Sequence, residues 1–271
     1  MKKNYLNTFL IVTLATFLAN NLYGQGAYLN INAGYGLMMS SGNLPNFYSL
    51  TTSSNSDTYK QVNLSLGKGI NFGGAFGYMF NKNIGAELGV SYLLGGKSKA
   101  QDIYQGGKTD YTLSAKMLRI NPSIVVASGL NGINPYAKIG LIIGTGSVTE
   151  ETIDNDGGDI TRLLVKMNGG IAIGGNAGLG VLFDISKKIS FSTEINMTNL
   201  SYAPTKGKAT KATYNGIDIL SDLTTSEKEI EYVDSYTESN TPPPDSQPSK
   251  ALKSKLPFGS IGINLGMRFS F

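Results

Sequence analysis

Six ionisable residues recur on the small, polar side of alternating segments: Glu87, Arg119, Lys138, Lys166, Glu194 and Arg268. Carboxylates among cations suit either general acid–base work or mutual neutralisation, and the composition separates the two. The 271 residues contain no histidine and no cysteine. The chain therefore lacks both the side chain that titrates near neutral pH and the thiolate nucleophile. A carboxylate pair would be the remaining acid–base device, but the alternation sets Glu87 and Glu194 against basic residues rather than in a dyad. No catalytic residue is expected. Charges held together in a narrow interior must pair or stay hydrated, so the six are expected to form one interior charge network. A polar path for small solutes is the alternative.

Metal and phosphate chemistry fare no better. From Asp222 to Asp245 the chain carries Asp222, Glu227, Glu229, Glu231, Asp234 and Glu238 with one lysine among them, hard oxygen ligands of the kind calcium uses. The spacing of a calcium loop is missing, and a solvated acidic run is the simpler reading. DNDGGD at 154–159 has the flavour of a calcium turn without the distal glutamate, and reads as a loop tip. GINFGG and GGIAIGG resemble phosphate loops only in glycine content, since neither opens a helix. No cofactor and no metal are expected.

The elements that must position these residues alternate with a period of two, as strands with two different faces do. The clearest run is 162–185, whose odd positions from Leu163 to Ile185 hold no polar side chain. Seven more runs follow the pattern, near 26–39, 67–80, 84–95, 112–127, 135–148, 189–202 and 256–271. Pro122 falls inside one of them and is expected at a bulge, because proline cannot donate to a ladder. Short polar turns at 81–83, 128–134 and 186–188 alternate with long connections at 40–66, 96–111, 149–161 and 203–255. The last contains TPPPDSQPS and is expected to be partly disordered, with TYNGIDI and KEIEYV as strand extensions or a small hairpin.

The amino-terminal end supplies a compartment. Lys2 and Lys3 precede the apolar run FLIVTLATFLA at 9–19, with Gly24 before Gln25. This reads as a secretory signal peptide over 1–24, since a membrane helix needs about 18 or more apolar residues. The formal charge of +4 includes both leader lysines and is too weak and dispersed for nucleic acid. One face of the strands is bulky and continuous and the other small and polar, which suits lipid outside and a narrow interior within. Aromatic residues Phe80, Phe183, Phe191, Phe269 and Phe271 gather beside the short turns, as in an interfacial girdle.

These features together resemble the small outer-membrane β-barrel family that includes the OmpA transmembrane domain and OmpX. The chain closes on NLGMRFSF, and Asn264, Gly266, Phe269 and Phe271 match that family's C-terminal assembly pattern position for position. The resemblance implies recognition by the barrel assembly machinery through the last strand. It departs from OmpA in having no peptidoglycan-binding domain after the barrel and no tryptophan in its girdles. Barrel enzymes of the outer membrane resemble one another in using histidine, which this chain lacks. The Gln25 start and the Asn/Gly-rich style are similar to Bacteroidota proteins.

The expected protein is all-β: a monomeric, eight-stranded antiparallel transmembrane β-barrel over 25–271, with short periplasmic turns and long extracellular loops. It is expected in the outer membrane after export, in contact with outer-membrane lipid. Its interior is expected to be plugged. Its role would lie in envelope structure or a surface partner met through the loops, with a small-solute or hydrophobic-ligand channel as the alternative.

Overall fold

The computed structural model describes residues 26–39, 48–237 and 244–271, so the expected leader at 1–24 lies outside the described residues. The protein is all-β. Its strands are β1 (Ala27–Met38), β2 (Tyr48–Ser53), β3 (Ser56–Gln61), β4 (Gly69–Met79), β5 (Ile84–Gly95), β6 (Ser98–Tyr104), β7 (Gly107–Ala127) and β8 (Ile133–Asp156). They continue with β9 (Asp159–Asn168), β10 (Ala172–Asp184), β11 (Ile189–Tyr202), β12 (Lys206–Tyr214) and β13 (Ile217–Asp218). After a single capped helical turn, α1 (Thr225–Lys228), come β14 (Glu229–Val233), β15 (Ser249–Leu252), β16 (Leu256–Pro257) and β17 (Ser260–Ser270).

Eight of these pair in antiparallel succession, β1 with β4, then β5, β7, β8, β10, β11 and β17, and β17 pairs back to β1. Along each, side chains alternate between an enclosed face and an outward face. The outward face is apolar and open: Ile139 and Leu179 are each 68% exposed and Ile173 67%. On β7 it runs from Leu118 to Val126, on β8 from Ile133 to Ile143. Those lengths match the roughly 9–11 residues a tilted strand needs to cross hydrocarbon. Lys116 and Thr145 end the apolar run on the two strands.

The short turns are closed by their own side chains. Asn81 Oδ1 accepts from the N–H groups of Asn83 and Ile84, both at 2.8 Å, and Ser186 Oγ accepts from Ile189 N–H at 3.1 Å. These are the Asx- and Ser-turn devices that let three polar residues reverse a chain. Pro122 sits in β7 without a bulge. The register to β8 is the same on both sides of it, Ile120 facing Ile143 and Ser123 facing Gly140, and only the two pairs between are lost. Proline here removes ladder bonds and leaves the phase intact.

At the other end the strands do not stop at the apolar band. From Thr145 to Asp156, β8 continues for roughly 40 Å at a rise of about 3.3 Å per residue. A second sheet, in the order β3–β2–β6–β7–β8–β9–β12–β14–β15, projects beyond the band. The connections expected as loops are therefore largely strand. DNDGGD is the tip of the β8–β9 hairpin, TYNGIDI is the β12–β13 turn, and KEIEYV contains β14. Of the stretch 203–255, expected as a partly disordered loop, β12 to β15 and α1 are ordered, because β12 finds a ladder partner in β9 and β14 in β12.

The run 162–185, read as one long strand, is two. Gly169 and Gly170 adopt left-handed backbone, with φ of 78° and 77°, and end β9 before β10 begins. The phase inverts across them. In β10 the odd residues Ile173 and Leu179 face outward, whereas in β9 the odd residue Met167 is buried in an apolar cluster and the even Lys166 is exposed. A Cβ on Gly170 would also overlap the Ala203 carbonyl. Gly170→Ala is expected to destabilise the fold by about 1–2 kcal/mol for the backbone alone. The check is a lower urea midpoint for loss of the compact, fast-migrating form in detergent gels.

Candidate functional site

The enclosed face carries one motif twice. Tyr28 on β1 lies beside Gly77 on β4, which lies beside Glu87 on β5; each is the direct register partner of the next. Four places further round the ladder sequence, Tyr136 on β8, Gly180 on β10 and Glu194 on β11 repeat the arrangement in register. Each tyrosine lies over its glycine and donates its hydroxyl to the glutamate beyond, Tyr28 to Glu87 at 3.1 Å and Tyr136 to Glu194 at 3.0 Å. A Cβ on Gly77 would run into the Tyr28 ring and one on Gly180 into the Tyr136 ring. Only glycine leaves the phenol a flat seat there, which explains why the polar face of these strands is so poor in side chains.

Lys138 on β8 joins the two rows. Its Nζ lies 2.8 Å from Glu194 Oε2 and 3.4 Å from Glu87 Oε1. Gly178 gives it room, since a Cβ there would stand 3.0 Å from Glu194 Cδ and 3.2 Å from Lys138 Cε. Asn264 Nδ2 completes the set with a 3.4 Å contact to Glu194 Oε1. Two carboxylates thus share one ammonium, with three further donors, Tyr28, Tyr136 and Asn264, on their oxygens. Such a geometry is what a buried ion cluster requires.

The other expected members behave differently. Arg268 is buried but makes no ion pair among the described residues; its Cζ lies 3.9 Å from the centre of the Tyr28 ring and 5.7 Å from that of Tyr136. Its partner is an aromatic face, a cation–π arrangement. Arg119 is buried on β7, also without an ion pair among the described residues, and lines a polar cavity. Lys166 is a correction. It is exposed on β9, opposite Lys208 of β12, outside the enclosed face altogether, because the Gly169–Gly170 break inverts the phase that placed it inside.

Apolar layers lie on both sides of this cluster. Towards the short turns, Val125, Ala127, Tyr136 and Leu182 pack together with Met79. Towards the projecting sheet, Leu93, Met117, Ile142, Leu200 and Tyr202 pack around two segments that fold inward between strands, Leu64–Leu66 and Leu256–Phe258. Backbone bonds stitch those segments together, Leu66 N–H to the Pro257 carbonyl at 2.9 Å and Phe258 N–H to the Leu200 carbonyl at 2.8 Å. The Ser65 hydroxyl donates to the Gly259 carbonyl. Tyr202 stacks edge-on against Phe258 with ring centres 6.1 Å apart, and its single hydroxyl proton is shared between the carbonyls of Gly146 and Gly169, whose oxygens lie 2.8 and 2.6 Å away. Just above, Glu150 is desolvated on the inner side of the projecting sheet, which raises its carboxyl above the usual range.

Tyr28 and Tyr136 carry no charge and so do not stand out in the sequence, although both sit in phase with polar neighbours on the enclosed face. Leu64 and Leu66 left a fainter signal, isolated large apolar residues in a connection otherwise rich in small and polar ones, whereas Leu256 to Phe258, expected in the last strand near 256–271, precede β17, which begins at Ser260. The C-terminal residues fall where their alternation puts them. Asn264 and Gly266 face inward, Phe269 faces outward beside Phe191, which packs on Phe183, and Phe271 is exposed. Phe271 N–H bonds to the Ala27 carbonyl at 3.0 Å.

Removing the shared cation should be far costlier than removing a surface one. Lys138→Met leaves two buried carboxylates facing each other and is expected to destabilise by about 3–5 kcal/mol. Combining it with Glu87→Gln and Glu194→Gln should restore much of the loss. Urea titration of the unaltered protein, the single variant and the triple variant checks this.

A family model described as outer membrane protein beta-barrel domain matches residues 9–220. Among solved structures, the chain is similar to Neisserial surface protein A at 12% identity, over 91% of this chain and 97% of that one, with a TM-score of 0.38. It is also similar to CarO of Acinetobacter baumannii at 14% identity, over 93% and 100% of the two chains, with a TM-score of 0.31. No curated protein matches it. The chain belongs to the outer-membrane protein β-barrel domain family, and its place in the cell is the outer membrane.

Proposed function

We propose that the protein is a non-enzymatic integral outer-membrane protein whose eight mutually paired strands form a closed, eight-stranded transmembrane barrel with a plugged interior. In this reading the short turns face the periplasm, and the long connections build an extracellular sheet through which the protein acts in envelope structure or surface contact. One observation carries it: the enclosed charge cluster lies between two apolar layers, the outer of which is built from connection segments tied down by backbone bonds. An eight-stranded interior is just wide enough for side chains to fill, and an apolar constriction excludes the water that a conducted solute needs. The projecting sheet is the part of the molecule available to other surfaces. It ends at β3, whose six residues are all exposed, and at β15.

Both carboxylates of the enclosed face are held by Lys138 and a tyrosine, which suits mutual neutralisation rather than acid–base work. The outward aromatics at the short-turn end and the match at Asn264, Gly266, Phe269 and Phe271 support recognition of the last strand by the barrel assembly machinery.

Two outcomes follow. Refolded protein added to a planar bilayer is expected to give no stable channel, and reproducible unitary conductance would replace this reading with the small-solute channel. Deleting Phe271, which is 76% exposed and packs on nothing inside, is expected to leave refolding in detergent nearly unchanged while lowering the amount assembled in the outer membrane severalfold. Equal amounts in membrane fractions would refute an assembly role.

A further inference from the structure

We infer that the lysines bordering the outward apolar band, Lys116, Lys166, Lys206 and Lys208, form a binding surface for a lipid whose headgroup carries an anionic phosphate. The inference rests on the closed-barrel reading and adds a particular lipid to it.

Register brings these residues together. On β7 and β8 the face that carries Leu118 and Ile143 continues into the projecting sheet with no change of pairing. At the rim of the band, Lys116 of β7 pairs with Ser147 of β8, Ser147 with Asn168 of β9, and Asn168 with Lys206 of β12. Two residues further out, Ser114, Thr149, Lys166 and Lys208 make the next row on the same four strands. The rows are about 7 Å apart, and each spans roughly 14 Å across the strands. All four lysines are exposed. Lys116 stands opposite Leu94, an outward residue of β5. From Asn168 the chain passes through the Gly169–Gly170 break to Ile171, 67% exposed. The cations begin where the apolar surface stops.

The acids of these rows do not neutralise them. Glu229 of β14 closes the second row and lies 2.8 Å from Lys208 Nζ; Glu231 closes the first, between Lys206 and Lys250 of β15. Glu151, one row further out, is held by Arg162. The two rows therefore carry five lysines against two glutamates. Lys116 and Lys166 have no acid beside them on either neighbouring strand, and neither makes an ion pair among the described residues.

Position decides what answers that charge. The band faces hydrocarbon, so the layer at its rim is the headgroup layer of one leaflet. A lysine there can lay its apolar stem along the band and hold its ammonium at headgroup depth. Phosphate oxygens accept from ammonium, hydroxyl and amide donors alike, and Ser147 and Asn168 supply the last two between Lys116 and Lys206. A zwitterionic headgroup brings its own cation and leaves the excess unanswered. A free phosphate ion has no acyl chains to lie on the adjoining apolar wall.

The test uses the full chain refolded in detergent micelles. It is titrated with dioleoyl phosphatidic acid, dioleoyl phosphatidylcholine or inorganic phosphate, and bound species are counted by native mass spectrometry. Phosphatidic acid should be retained at concentrations where phosphatidylcholine is not, and its affinity should fall as ionic strength rises. A lysine beside an anionic lipid surface contributes about fivefold in affinity, so Lys116→Gln combined with Lys166→Gln should weaken phosphatidic acid binding roughly 25-fold. Lys60→Gln combined with Lys108→Gln removes the same charge from the margin and the far end of the projecting sheet, and should leave binding unchanged. Equal retention of the two lipids, unchanged affinity in the rim variant, or equal loss in both double variants overturns the inference. So does displacement of phosphatidic acid by an equal concentration of inorganic phosphate. If the rim variant gives no folded band, the two lipids and phosphate compared on the unaltered chain decide. Absence of a folded band for the unaltered chain would instead sink the barrel reading, and the lipid site with it.

Discussion

Among the outward apolar residues, a backbone N–H or C=O has no water to bond, and only a neighbouring strand can satisfy it. Much of the remaining structure follows from that constraint. It forces the ladder from β1 to β17 to return on itself, which leaves no strand edge in the apolar band. Closure with few strands makes the enclosed face narrow, and narrowness selects glycine wherever a ring must lie flat against the wall. The Tyr28–Gly77–Glu87 and Tyr136–Gly180–Glu194 rows are two instances of one solution. A phenol fills the width that glycine vacates, and its hydroxyl reaches the acid one strand further on.

The same constraint explains the contrast between the two ends. Where the apolar band stops, at Lys116 and Thr145, strands no longer need to close, and the chain opens into a sheet with free margins at β3 and β15. There polar contacts with solvent replace enclosure. Between the two regimes lie the inward-folded segments Leu64–Leu66 and Leu256–Phe258, the second of which pairs with β11 through β16. They give the projecting sheet a fixed base, because Tyr202 bonds at once to Gly146 of β8 and Gly169 of the strand break.

How far this was legible depends on the range of the interaction. The wall strands could be read residue by residue, since an alternation of period two is a local pattern; β5 and β11 have the boundaries the sequence suggests. Glu87, Lys138 and Glu194 were legible as a group because phase alone puts them on one face. Their exact partnership was not, because which cation reaches which acid is set by register between strands far apart in sequence. Lys166 shows the limit of phase. Its alternation is continuous with that of β10 on paper, yet two glycines in left-handed backbone invert it, and nothing in the apolar pattern of 163–185 marks where. The connections were read as loops because their composition is polar, but an exposed sheet has two solvated faces and no reason to be apolar.

Lys138 shows why the repeated row is not an exact twofold. By register, its counterpart in the first row is Asn30, two residues beyond Tyr28 as Lys138 is two beyond Tyr136. Were both positions lysine, two ammonium groups would converge on two acids in a space where Asn30 is already buried. A second ammonium there would carry the desolvation cost of a buried ion. With asparagine at one site and lysine at the other, a single cation sits between two acids, and each acid takes its second bond from a neutral phenol. Arg268 can then stack on Tyr28 without competing for a carboxylate. The broken symmetry is thus what lets an interior this narrow hold three cations and two acids at all.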